Sequence, residues 1–155
     1  FGGADPSGNS QRALEMITRW PGEFFVDIII GPLFSSEIKP VIESVSNRCA
    51  ITLHKSPSHM GVLFEESDLI FCGGGGTLLE SLCVGIPTIV IAQNDSELQH
   101  AISLMECKAC WLSDYADWEF IRHVENRKKR SMSAQACVDG RGVERICDAI
   151  EQQLN

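Results

Sequence analysis

Four consecutive glycines, Gly73, Gly74, Gly75 and Gly76, stand between the apolar run LIFC at residues 69–72 and a stretch that opens at Thr77. Glycine takes φ > 0 and leaves room where a Cβ would collide. A helix start adds unpaired N–H groups and the positive end of a dipole. Together these make a seat for a diphosphate, held by backbone donors rather than charged side chains. The plainer alternative is a tight turn with a close helix–strand contact, for which one or two glycines suffice. The helix after the glycines is short, because Gly85 and Pro87 stop it.

Neither of the two glycine loops carries a standard fingerprint. Gly3 and Gly8 have G-x4-G spacing, but Asn9 stands where an ATPase loop needs Lys. Gly73-x-Gly75 lacks the third glycine of the dinucleotide motif, with Leu78 in its place, and no acidic residue is placed for an NAD ribose. Thr77 and Glu80 have two readings. They spell a capping box, Thr77 as N-cap and Glu80 at the third helical position; alternatively Glu80 accepts hydrogen bonds from ribose hydroxyls. The histidines (His54, His59, His100, His123) enter no Ser-His-Asp or Cys-His arrangement, and no D-x-D metal motif occurs. A phosphate site of backbone donors needs no metal, and no catalytic residue is assigned to the chain.

Helices and strands must position these residues. Strands are expected at 24–30, 50–53, 69–72, 88–92 and 110–112. Helices are expected around Leu14–Ile17 and at 36–45, 59–66, 78–84, 96–106, 117–129 and 143–154. Short strands that are apolar on both faces and alternate with helices predict an α/β fold, a doubly wound, Rossmann-like parallel sheet. Its ligand crevice lies at the carboxyl ends of the strands. The loops at 2–8, 31–34, 54–58, 73–77 and 93–99 all emerge there. The loop at 2–8 lacks a strand before it, which predicts that residues 1–155 are one domain cut near the end of its first strand.

The chain has 155 residues, 44% of them hydrophobic, enough for a substantial core. Thirteen basic against twenty-one acidic residues give a net charge of −8, which argues against a nucleic-acid surface. The basic run 127–130 reads as a solvated helix face. No apolar run reaches the length of a membrane span and no signal peptide is visible. Seven cysteines, an odd number in apolar surroundings, suit reduced, buried thiols in a cytoplasmic protein. Cys107 and Cys110 spell C-x-x-C without the second pair that a zinc site needs.

These motifs give the chain a family resemblance. FGGADPSGN at the front, HMGVLFEESDLIFCGGGGTLLESLCVGIPTIVIA in the middle, residues 97–99 and VDGRGVERI at 138–146 resemble the C-terminal domain of GT-B-fold nucleotide-sugar enzymes. The pattern is most similar to the UDP-sugar hydrolase of the pseudaminic acid pathway and its spore-coat polysaccharide relatives. The middle block is also similar to the UDP-N-acetylglucosamine transferase of peptidoglycan synthesis. The resemblance implies a UDP-sugar substrate, with Gly74, Gly75, Gly76 and Thr77 on the diphosphate and Glu80 on the ribose. Uracil would meet residues 55–59, including Lys55 and His59. Gly2, Gly3 and Asp5 would face the inter-domain cleft, and Glu97 and Gln99 the sugar or pyrophosphate. Leu98 stands where the family has Asn. The base would belong to an N-terminal domain outside this chain. A glycosyltransferase donor domain and a non-catalytic nucleotide-sugar module are the alternatives.

Overall fold

The computed structural model describes residues 1–34, 42–43 and 49–154. The helix expected at 36–45 lies outside the described residues except for Ile42 and Glu43, which are helical. In chain order the elements are α1 (Asn9–Arg19), β1 (Phe24–Ile30), β2 (Cys49–Lys55), α2 (Met60–Glu65), β3 (Ile70–Cys72), α3 (Gly76–Val84) and β4 (Thr88–Val90). Then follow α4 (Asp95–Glu106), β5 (Trp111–Leu112), a 3₁₀ turn (Ser113–Tyr115), α5 (Trp118–Ile121), α6 (Val124–Cys137) and α7 (Gly142–Leu154). Every strand pair is parallel: β1 runs beside β2, and β4 lies between β3 and β5.

The β3–β4–β5 sheet is the centre of the molecule. All three residues of β4 are buried. Leu78 and Leu82 of α3, Ala101 of α4 and Ala134 of α6 close over it in one apolar cluster. Leu98 packs against this cluster, where an apolar side chain suits and an amide would not. A second contact cluster joins Leu14 of α1 to Ile28 of β1. Rings bridge the two regions: Trp20, just after α1, stacks on Trp118 of α5 with centroids 4.4 Å apart and meets Phe71 of β3 at 5.7 Å.

Four expectations need correction. The β1–β2 sheet is not covered on both faces, since Phe25 is 90% exposed and Leu53 41%. The helix expected at 117–129 is two: α5, N-capped by Asp117 through Glu119 N–H (3.0 Å), ends at Ile121, and α6 starts at Val124, with Arg127 donating to the Ile121 and Arg122 carbonyls at the break. The basic run is only partly a solvated face. Arg127 donates to the carbonyls of Ile121 and Arg122, and Arg130 lies 4.3 Å from the Trp111 ring and donates to the Cys110 carbonyl (3.1 Å). Finally, all seven cysteines are free thiols, but Cys107, Cys137 and Cys147 are exposed. The helix expected at 143–154 is present as α7, with Val143, Ile146, Ile150 and Leu154 all open to solvent. Among the described residues no helix is long and apolar enough to cross a membrane.

Candidate functional site

The loops that follow the strands converge at one edge. Gly3 lies against the end of β1, its carbonyl accepting from Leu33 N–H (3.0 Å). A Cβ on Gly31 would fall 2.5 Å from Gly3 Cα, so only glycine allows that crossing. Gly2 takes φ 65 beside the Gln93 amide. At the neighbouring strand Ser56 N–H donates to the Ile30 carbonyl (2.9 Å), and His54 Nε2 lies 2.7 Å from Asp27 Oδ1.

The four glycines do different jobs. A Cβ on Gly74 would sit 2.7 Å from Glu97 Cβ and from the Glu97 carbonyl, so Gly74 exists to let α4 approach β3. A Cβ on Gly73 would be nearly as tight, 3.1 Å from Gln93 Nε2 and Glu97 Oε2. Gly75 has only ordinary contact and Gly76 faces open space. Two glycines are therefore explained by packing and two are not. Gly75 occupies the N-cap position of α3, and no side chain caps that helix. Among the described residues no acceptor faces the N–H groups of Gly75, Gly76 and Thr77.

The capping-box reading of Thr77 and Glu80 fails. Thr77 is the second residue of α3, already inside the helix, so its hydroxyl is not in the cap position. Glu80 is exposed one turn along the same helix. Glu97 is anchored instead: its Oε2 accepts from Gly74 N–H (2.9 Å) and Gln93 N–H (3.0 Å). That carboxylate demonstrates that backbone donors at this edge converge well enough to hold an anion. Asn94 caps α4 through Glu97 N–H (2.9 Å), fixing where Glu97 stands.

The remaining expected residues are spread along the edge. Asp5, in the left-handed region at φ 45, accepts from Asn9 N–H and Ser10 N–H (both 2.8 Å) and so caps α1. Lys55 ends β2 and His59 is the N-cap residue of α2, both exposed. Gln99 is exposed on α4, and its carbonyl accepts from the Ser103 hydroxyl (3.2 Å). Two further residues belong to the site. Gln93 stands where a side chain on Gly2 or Gly73 would meet it and donates to Glu97 Oε1 (3.4 Å), and His100 Nδ1 lies 3.2 Å from the Gly74 carbonyl. Neither has a motif of its own; only their place after β4 and one turn into α4 marked them.

Cys72, buried at the end of β3, directly precedes the glycine loop. Burial pushes its thiol up to about 12. Burial likewise pushes the Cys110 thiol up to about 11. Both are inert at neutral pH.

No protein-family model matches the chain. A stretch of 97 residues, 61% of the chain, is 32% identical to the uncharacterized protein MJ1062 of Methanocaldococcus jannaschii, covering 20% of that protein. The crystal structure of Acinetobacter baumannii MurG superposes on 97% of the chain with a TM-score of 0.78, at 12% sequence identity. The fold is GT-B-like. The match takes up 48% of the MurG chain, so this chain spans about half of it.

Proposed function

We propose that the chain is the nucleotide-sugar-binding half of a two-domain enzyme acting on a UDP-linked amino sugar. The observation that carries this reading is the row of unpartnered N–H groups at Gly75, Gly76 and Thr77, open to solvent at the start of α3 where β3 ends. The diphosphate sits there on backbone donors, without a metal ion. Glu80, free of a capping role, takes the ribose hydroxyls. Lys55 and His59 border the uracil site. Gly2, Gly3 and Asp5 line the cleft towards a second domain, and Glu97 and Gln99 meet the sugar or pyrophosphate. Glu97 then shares its backbone donors with the ligand or swings aside.

Such a half holds the leaving UDP oxygens on fixed dipoles, the electrostatic part of the reaction. The attacking group is outside it. Water there gives hydrolysis, the reading that the sequence motifs favour; a sugar hydroxyl there gives transfer. Calorimetry with UDP, repeated in EDTA, is the test. UDP should bind equally with and without chelator, and Glu80→Gln should weaken UDP about tenfold more than it weakens pyrophosphate. Absence of UDP heat at millimolar protein refutes the reading; equal weakening of both ligands removes Glu80 from the ribose.

A further inference from the structure

Cys107 and Cys110 spell C-x-x-C, yet the fold parts them. Cys110 is buried just before β5, its thiol donating to the Ala101 carbonyl (3.7 Å). Cys107 stays exposed where α4 ends. The neighbour that the structure gives it is Cys137, the last residue of α6, which is exposed as well. The two thiols share a side-chain hydrogen bond.

Two helix ends make that meeting. α4 closes in a tight turn: Lys108, in the left-handed region at φ 59, donates its N–H to the Met105 carbonyl, and Ala109 N–H donates to the Leu104 carbonyl (both 2.9 Å). α6 ends where Val138 N–H donates to the Ala134 carbonyl (2.9 Å). Val138 packs on the same apolar cluster as Leu104 and Met105. Buried neighbours thus fix where both helix ends stand, while Cys107 and Cys137 remain open to solvent. Proximity and access are what thiol oxidation requires. Among the described residues no group of three His, Cys, Asp or Glu is arranged to hold a metal ion, so the pair is not part of such a cluster.

We propose that Cys107 and Cys137 are a reversible oxidation site, closing to a disulfide that clamps the end of α4 to the end of α6. The oxidant is a low-molecular-weight disulfide, RSSR. One protein thiol gives up its proton, and its thiolate attacks a sulfur of RSSR. A mixed disulfide forms and RS⁻ leaves, taking up the proton. The second protein thiol, deprotonated in turn, attacks the protein sulfur of the mixed disulfide and expels the other RS⁻, again released as RSH. Two protein thiols become one disulfide and RSSR becomes two RSH. Disulfide sulfurs stand about 2.05 Å apart, so thiols already in hydrogen-bond contact have only a short approach left. The pair sits at the opposite end of α4 from Glu97 and the glycine loop, apart from any ligand held there.

The test equilibrates the whole chain in a buffer of reduced and oxidised glutathione, quenches it with acid and an alkylating agent, and maps the cysteines by mass spectrometry. The expected product is a cross-link between residues 107 and 137 that dithiothreitol reverses, with Cys147 carrying at most a glutathione adduct. Closing a loop of about 30 residues should favour the folded state by roughly 100-fold, read as a higher urea midpoint. The same factor should separate cross-linking in the folded chain from cross-linking in urea. Cys107→Ser and Cys137→Ser, both at exposed positions, should each lose the cross-link and leave the surviving thiol glutathionylated. A bond from Cys107 to Cys110, no cross-link at all, or equal cross-linking in urea overturns the proposal. So does a 107–137 bond that forms without raising the urea midpoint.

Discussion

Gly74 and Gly76 sit two residues apart and should answer mutation in opposite ways. Gly74→Ala drives a Cβ into Glu97 at 2.7 Å, main chain included, and should cost about 1–3 kcal/mol in a urea titration. A Cβ added at Gly76 meets nothing within 4 Å, so with Gly76→Val stability should stay within about 0.5 kcal/mol while UDP binding is lost, because the side chain enters the space that a phosphate needs. A Gly76→Val protein that binds UDP normally would move the ligand elsewhere. The cysteines give a pH signature. The folded Cys72 thiol lies at about 12 and Cys110 at about 11, against 9.0 for a free thiol. The neutral form is the folded form, so their contribution is complete below about pH 9 and falls as pH rises from there towards 11–12. Urea midpoints measured at pH 8 and pH 10.5 should therefore separate, and Cys72→Ala, though less stable at pH 8, should show a shallower drop. Identical drops in both proteins would exclude Cys72 from the effect.

At the scale of elements, α6 illustrates how a charge run is divided by packing. Arg130 stacks on Trp111 and reaches the Cys110 carbonyl, tying α6 to β5, whereas Lys129 beside it is exposed with no such anchor. Arg130→Met should lower stability by about 1–2 kcal/mol, and Lys129→Met by less than about 0.5 kcal/mol, measured by chemical denaturation. Equal effects would mean that the run acts through net charge alone. The order of strands and helices was legible from apolar runs and from punctuation by Gly and Pro, as at Gly85, where φ 89 ends α3. The break between α5 and α6 was not, because residues 117–129 contain neither Gly nor Pro. What ends α5 is the donation of Asn126 to the Phe120 carbonyl and of Arg127 to the Ile121 and Arg122 carbonyls, together with the packing of Ile121, all decided by the neighbours.

At the scale of the whole molecule, the chain by itself should release no UDP above background from UDP-N-acetylhexosamines. Hydrolysis needs a base within hydrogen-bond reach of a positioned water, and the edge described here supplies fixed donors and an anchored Glu97 instead. Turnover by this chain, abolished by replacing His54, His59 or His100, would place the base here and sink the expectation. The sequence alone determined the α/β class, the parallel strands and the edge where the loops gather, because these follow from local periodicity and from glycine's backbone freedom. Only the tertiary structure decided which glycines serve packing and which face solvent, that Thr77 is inside its helix, and that Asp5 caps α1. It alone brought Gln93 and His100 to the glycine loop and, among the described residues, left one edge of β1 and one edge of β3 unpaired. Those outcomes depend on distances between residues far apart in the chain, such as Gly74 and Glu97, and no local pattern encodes such distances.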